Sequence, residues 1–163
     1  MPGRRKFVLM FISVLAVVTA LASRATAAAP VSVSGTWSST APTLTGFKQA
    51  GVNLTLPGFV NSTWSGALTG TTVAMATFLV HPDGSIVAAP TRETFTGTVL
   101  GVGSGTLDFV EEAHAQPNGS TQIGATVVRG TGDLAALSGR LIFVGSCDVT
   151  GACAGTYSGQ IHG

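Results

Sequence analysis

Two glutamates, Glu93 and Glu111, are the residues best suited to chemistry, because each lies on the apolar face of a predicted β-strand. Glu93 alternates with Phe95, and Glu111 alternates with Phe109. If the two strands turn about Gly103, Phe95 lies opposite Glu111. The glutamates then become diagonal neighbours on one face, about 7–8 Å apart.

Two carboxyl groups on an apolar wall would repel each other, and burial would raise at least one pKa. A carboxyl with a raised pKa can act as a general acid or base, so Glu93 and Glu111 are the candidate catalytic residues. A different arrangement is open as well. Glu93 could lie in water or pair with Arg92 or Arg129, and a register slip of one residue would turn Glu111 outward.

The remaining polar residues form no recognisable catalytic motif. His114, Glu112 and Asp108 share one strand face and could hold a surface metal ion, but such a set is more typical of a solvated face. The serines lack a readable histidine and aspartate arrangement, and there is no phosphate-binding loop. The sequence therefore predicts no cofactor and no metal site. Trp37 and Trp64 are interpreted as packing residues.

Cys147 and Cys153 are the only cysteines and are separated by five residues with turn chemistry among them. In an exported protein such a pair predicts a disulfide across a hairpin, and free thiols are the main alternative. A metal site would need further ligands.

The elements that would position these residues are short strands separated by glycine-rich turns. Glycine supplies 22 of the 163 residues, about twice its usual share of ~7%. Asp83-Gly84 and Asn118-Gly119 are strong hairpin signals. The most helix-like piece, 132–138, is too short for more than one turn. The predicted strands are Val31–Ser38, Gly51–Leu56, Thr63–Gly70, Thr72–Val80, Ile86–Ala89, Glu93–Leu100, Gly105–Ala115, Ser120–Arg129, Arg140–Gly145 and Ala154–Ile161. This pattern predicts an all-β sandwich or a closed antiparallel barrel.

The strand Thr72–Val80 carries apolar residues on both faces. Such a strand is expected to be covered on both sides. In a barrel one face fills the lumen and the other meets a cover or a second subunit, so we expect a homo-oligomer.

Residues 1–27 have the layout of a cleaved signal peptide, with a basic start, the 15-residue apolar stretch Phe7–Leu21 and the small triplet Ala25-Thr26-Ala27. A membrane-spanning helix needs about 20 apolar residues. Cleavage leaves residues 28–163 as one secreted or extracytoplasmic domain. Its four basic and seven acidic residues give a net charge of −3. Nucleic acid is therefore not an expected partner, and no later stretch could span a membrane.

From Thr63 onward the chain resembles an uncharacterised bacterial family, DUF3224, with an allene-oxide-cyclase-like β-barrel. The resemblance is carried by the stretches 83–84, 93–97, 103–105 and 127–128, and above all by Gly130-Thr131-Gly132-Asp133-Leu134-Ala135-Ala136-Leu137-Ser138-Gly139. It implies an antiparallel barrel of about eight strands with a closing segment, and no established activity. No catalytic position of the plant cyclases matches this chain at the level of a motif.

Three functions fit these observations. The first is non-catalytic binding of a small apolar or amphipathic ligand in the barrel lumen. The second is an isomerase or cyclase that uses Glu93 and Glu111 in the same cavity. The third is a structural or surface-interaction protein with a filled core. The sequence favours a binding function over an enzymatic one.

Overall fold

The computed structural model describes residues 29–163, and the predicted signal peptide lies outside this range. The described chain contains ten antiparallel strands and a 3₁₀ turn at Gly132–Leu134. The strands are β1 (Val31–Ser39), β2 (Thr43–Leu44), β3 (Lys48–Ala50), β4 (Asn53–Gly66), β5 (Leu68–Val80), β6 (Ile86–Val99), β7 (Gly103–Ala115), β8 (Ser120–Gly130), β9 (Ser138–Cys147) and β10 (Cys153–His162).

Eight of these strands close into a barrel. The ring runs β1-β10-β9-β8-β7-β6-β5-β4, and β4 returns to β1, where Trp37 lies opposite Trp64. The short strands β2 and β3 pair with the N-terminal half of β4, outside the ring. The predicted fold class, an all-β antiparallel barrel of about eight strands, is confirmed.

The strands differ from the sequence prediction in two regions. In the first, β4 joins the predicted strand Gly51–Leu56 to the start of the next one. The predicted strand Thr63–Gly70 is wrong, because the chain reverses at Gly66, whose φ of 111° suits glycine. The predicted strands Ile86–Ala89 and Glu93–Leu100 are one strand, β6. A bulge at Ala89-Pro90 joins them. Proline has no amide hydrogen for the ladder, so it is accommodated at such an irregularity.

One end of the lumen is filled by aromatic rings. The Trp64 ring centroid lies 5.3 Å from that of Phe95, 4.8 Å from that of Phe143 and 5.7 Å from that of Tyr157. The Tyr157 hydroxyl accepts a hydrogen bond from the Leu68 amide (2.7 Å) and donates one to the Leu68 carbonyl (3.1 Å). This end is therefore densely packed, and the buried Tyr157 hydroxyl in it is fully hydrogen-bonded.

The glycine-rich segment after β8 covers this same end, which we call the closed end. Its 3₁₀ turn inserts Leu134, which is fully buried, into the core. Asp133 Oδ2 accepts a hydrogen bond from the Ser104 amide at 3.0 Å, which ties the segment to the start of β7. Residues 132–138 contain this one turn and no longer helix, in agreement with the limit that their length sets.

The opposite end, where β7 ends and β8 begins, is called the mouth. The hairpin from β9 to β10 lies here, and its strands place Cys147 opposite Cys153 in a disulfide. The predicted disulfide is confirmed.

The outer face of β5 is left bare by the described chain. Val73 is 48% exposed and Met75 is 59% exposed. The described residues therefore do not cover the outer side of this strand. The expected homo-oligomer, which would cover it, stays a prediction. Within residues 29–163 no helix is long and apolar enough to cross a bilayer.

Candidate functional site

Glu93 on β6 and Glu111 on β7 both face the lumen. They are 5% and 6% exposed, respectively. Glu93 lies opposite Phe109, and Glu111 lies opposite Thr91. The two carboxyls are therefore diagonal neighbours on the inner wall, where the alternation of apolar residues predicted them.

The register between β6 and β7 differs from the predicted one by four residues. Val99 lies opposite Gly103, so the hairpin turns through Leu100–Val102 rather than about Gly103. Phe95 consequently lies opposite Leu107 instead of Glu111. A shift by an even number of residues keeps every side chain on its face, which is why both glutamates stay inside.

The bulge in β6 is what brings Glu93 inside. Ala88 and Thr91 both face inward although they are three residues apart, because the extra residue at Ala89-Pro90 changes the alternation. Without the bulge, the strand that begins with inward Ala88 would turn Glu93 toward solvent. A local irregularity of the backbone therefore determines the environment of this carboxyl.

Thr72 of β5 is the described hydrogen-bond partner of the pair. Its hydroxyl, which is almost fully buried, donates to Glu93 Oε1. The sequence pattern does not predict this contact, because it places Thr72 only as the first residue of an apolar strand. The signal that could have found it is the inward alternation of Thr72 with Ala74.

No ion pair among the described residues includes either buried carboxyl. The two ion pairs in this range join Arg129 to Asp108 (2.7 Å) and His114 to Glu112 (2.9 Å), and both lie on the outer face. Arg129 is thus engaged elsewhere and does not neutralise Glu93. Asp108 is held by Arg129 and so is not grouped with His114 and Glu112.

The Glu111 carboxyl holds its proton more tightly than a free glutamate. Burial raises the pKa of Glu111 well above its usual range, and the charge of Glu93 and hydrogen bonding between the two carboxyls raise the pKa further. A neutral carboxyl can donate a hydrogen bond or a proton, while an adjacent carboxyl oxygen can accept one.

The lumen near the mouth is lined differently from the closed end. Many of its inward positions carry small side chains, and larger apolar ones such as Leu56, Val60, Phe78, Val80 and Ile123 lie among them. The small inward residues are Gly58, Ser62, Thr72, Ala74, Ala76, Ala88, Ala113, Thr121, Gly145 and Gly155. Ala76, Ala113 and Ile123 are only half-buried, so solvent reaches this part of the wall. The two carboxyls lie between this stretch and the aromatic rings.

A second concave region lies on the outer face of β7, β8 and β9. It is an open groove of about 840 Å³ whose lining includes Arg140, Gln122 and His114. This groove is open to solvent, whereas pockets that hold small molecules are usually largely enclosed. The two buried carboxyls make the mouth half of the lumen the candidate site.

The folded architecture can now be compared with known proteins. One solved structure that resembles it comes from Shewanella oneidensis MR-1 and is a DUF3224 family protein of unknown function, with a TM-score of 0.60. This chain has the fold of that DUF3224 protein. The two sequences are 16% identical, and the match covers 82% of this chain and 97% of the other.

The predicted resemblance to DUF3224 is confirmed at the level of the fold. Neither the family models nor the curated proteins compared with this sequence match it. The likeness to plant allene oxide cyclases stays a prediction.

Proposed function

We propose that the barrel binds a small apolar or amphipathic molecule in the mouth half of its lumen. The contrast between the two halves supports this proposal. Aromatic rings occupy the closed end, whereas small side chains surround the mouth. Barrels of about eight strands can enclose either side chains or one small ligand. In this chain side chains fill the closed end, and the mouth half suits a small ligand.

The observation that carries the proposal is the burial of Glu93 and Glu111 with no cation beside them among residues 29–163. Burying a carboxyl away from water without a paired charge costs free energy. Two aliphatic side chains at these positions would stabilise the barrel better. A polar group of a ligand, placed against these carboxyls, accounts for their presence.

The expected location is outside the cytoplasm. The Cys147–Cys153 disulfide fits an oxidising compartment. A secreted carrier of an apolar molecule is consistent with this setting.

The first test is native mass spectrometry of the mature protein secreted by its own host, compared with the mass of the denatured chain. A bound molecule of a few hundred daltons is the expected result. A bare chain that also fails to bind the apolar fluorophore phenylnaphthylamine would contradict the proposal and favour the packed, structural alternative.

Matched variants then test the carboxyls themselves. Glu111→Gln removes the inward acid, and Glu112→Gln removes its outward neighbour, which pairs with His114. We expect Glu111→Gln to change the affinity for the co-purified molecule several-fold and Glu112→Gln to leave it unchanged. Equal effects of the two changes would exclude a specific role for the inner carboxyl.

A second candidate function is an isomerase or cyclase acting in the same space. The raised pKa of Glu111 favours it, because burial keeps an acid protonated where it can protonate a substrate. Glu93 would accept the returning proton. Glu93→Gln and Glu111→Gln should then abolish turnover of the co-purified molecule without unfolding the barrel, and unchanged turnover in both variants would rule out this role.

A further inference from the structure

Trp37 on β1 carries a buried donor that no protein group satisfies. Its side chain is 6% exposed, and Nε1 is the one solvent-inaccessible side-chain nitrogen or oxygen in residues 29–163 without a hydrogen-bond partner. A buried indole N–H usually finds an acceptor. The fully bonded Tyr157 hydroxyl illustrates the rule inside the same barrel.

A line of small polar side chains on the inner surface leads from this donor toward the two glutamates. Two residues beyond Trp37, Ser39 lies opposite Ser62 when the pairing of β1 with β4 is followed. Ser62 in turn lies opposite Thr72, whose hydroxyl donates to Glu93. Ser39, Ser62 and Thr72 therefore form a continuous series of polar side chains on the inner surface, from the indole to the carboxyl pair.

The ring of strands places β1, which carries Trp37, across the lumen from β7, which carries Glu111. Passing from β1 through β4, β5 and β6 to β7 takes four steps in a ring of eight. On its other side Trp37 lies opposite Gly155, and Gly145 follows, so at this level neither β10 nor β9 carries a side chain toward the lumen. Within residues 29–163 no acceptor lies within hydrogen-bond distance of the indole N–H.

We propose that Trp37 Nε1 donates a hydrogen bond to an oxygen atom of the lumen ligand and that this ligand is an uncharged, carbonyl-bearing apolar molecule. The inference deepens the proposed function and rests on it. The class follows from the groups that face the ligand. Trp37 can only donate, which requires an acceptor. A ligand carboxylate would lie against two buried carboxyls with no cation beside them in residues 29–163, which disfavours it.

The test compares three probes of equal chain length: undecanone, undecane and undecanoate. Binding is measured by displacement of phenylnaphthylamine from the mature protein. We expect wild-type protein to bind undecanone more tightly than undecane, and undecanoate most weakly near neutral pH. Equal or tighter binding of undecanoate would overturn the assignment of an uncharged ligand.

Trp37→Phe removes the N–H and keeps an aromatic ring against Phe143, with which Trp37 now makes an edge contact. Loss of one neutral hydrogen bond should weaken undecanone binding about three- to tenfold. Undecane binding should not change. If both ligands lose affinity equally, Trp37 acts by packing and the inference is wrong while the binding function stands. If wild-type protein binds none of the probes and carries no ligand, the proposed function itself fails.

A spectroscopic measurement avoids dependence on the folding of the variant. The chain has two tryptophans, so nitrogen-labelled protein gives two indole N–H signals. Undecanone should move one of these signals downfield and slow its hydrogen exchange, whereas undecane should do neither. Unchanged indole signals in protein saturated with undecanone would overturn the inference.

Discussion

The hydrogen bond from Thr72 to Glu93 offers a sharp test of how the site is held together. Thr72→Val keeps the shape of the side chain and removes the hydroxyl that donates to Glu93 Oε1. Because both side chains are buried, no water molecule readily replaces the lost donor. A hydrogen bond to a charged group is worth about 1.5–3 kcal/mol, so we expect this loss in the free energy of unfolding. For a domain of this size it lowers Tm by about 5–10 °C.

The chain supplies a matched control on its outer face. Thr94 donates to Asp108 Oδ1 at 2.9 Å, which is the same pairing of hydroxyl and carboxyl in an exposed setting. Thr94→Val should cost less than about 1 kcal/mol, since water can take over the exposed interaction. Urea denaturation at constant pH measures both changes, provided the m-value stays unchanged.

A double-mutant cycle separates the hydrogen bond from the local packing. In a Glu93→Gln background the acceptor is neutral, so Thr72→Val should cost only about 0.5–1.5 kcal/mol. The reasoning is refuted if Thr72→Val costs the same with glutamate and glutamine at position 93. It is refuted equally if Thr94→Val is as costly as Thr72→Val.

Two further predictions concern pH and the disulfide. Because the folded-state pKa of Glu111 is raised above the ordinary value of 4.5, its contribution to stability is complete below that pH and is lost as pH rises through the folded-state pKa. Thermal unfolding of wild-type protein should therefore show a falling Tm above this pH, and Glu111→Gln should flatten the curve; identical slopes would contradict the placement of the carboxyl. For Cys147 and Cys153, unfolded but unreduced protein should contain no free thiol. Replacing both with alanine should cost about 2–3 kcal/mol, from the small loop that they close, and a cost near zero would show that the unfolded chain is not constrained by the bond.

Several parts of the fold could be predicted because they depend on local pattern alone. Alternation of side chains along β7 indicates which of its residues lie inside, and it assigns Glu111 to the lumen correctly. The Asn118-Gly119 turn predicts the hairpin between β7 and β8, and Gly119 has the positive φ that such a turn requires. These features involve neighbours in sequence, so few competing arrangements exist.

Other parts could not be predicted because they depend on contacts between distant residues. The reversal at Gly66 rather than near Gly70 depends on the pairing of β4 with both β1 and β5. The bulge at Ala89-Pro90 is visible only once β6 is paired on both sides. The prediction for Thr72–Val80 shows the same limit, since apolar residues on both faces predict a cover that the described chain does not supply for Val73 and Met75.

The sequence by itself determined an all-β protein of about eight barrel strands and a disulfide-closed hairpin, and it offered inward Glu93 and Glu111 as one of two arrangements. Periodicity and turn chemistry act over a few residues, and they suffice for these features. The tertiary structure alone decided three features. They are the register of β6 against β7, which is shifted by four residues from the predicted one, the hydrogen bond from Thr72 to Glu93, and the lack of a partner for the Trp37 indole N–H. The first two depend on how long consecutive strands align along their whole length, and the third depends on which distant strands become neighbours when the barrel closes and leaves the indole without a partner.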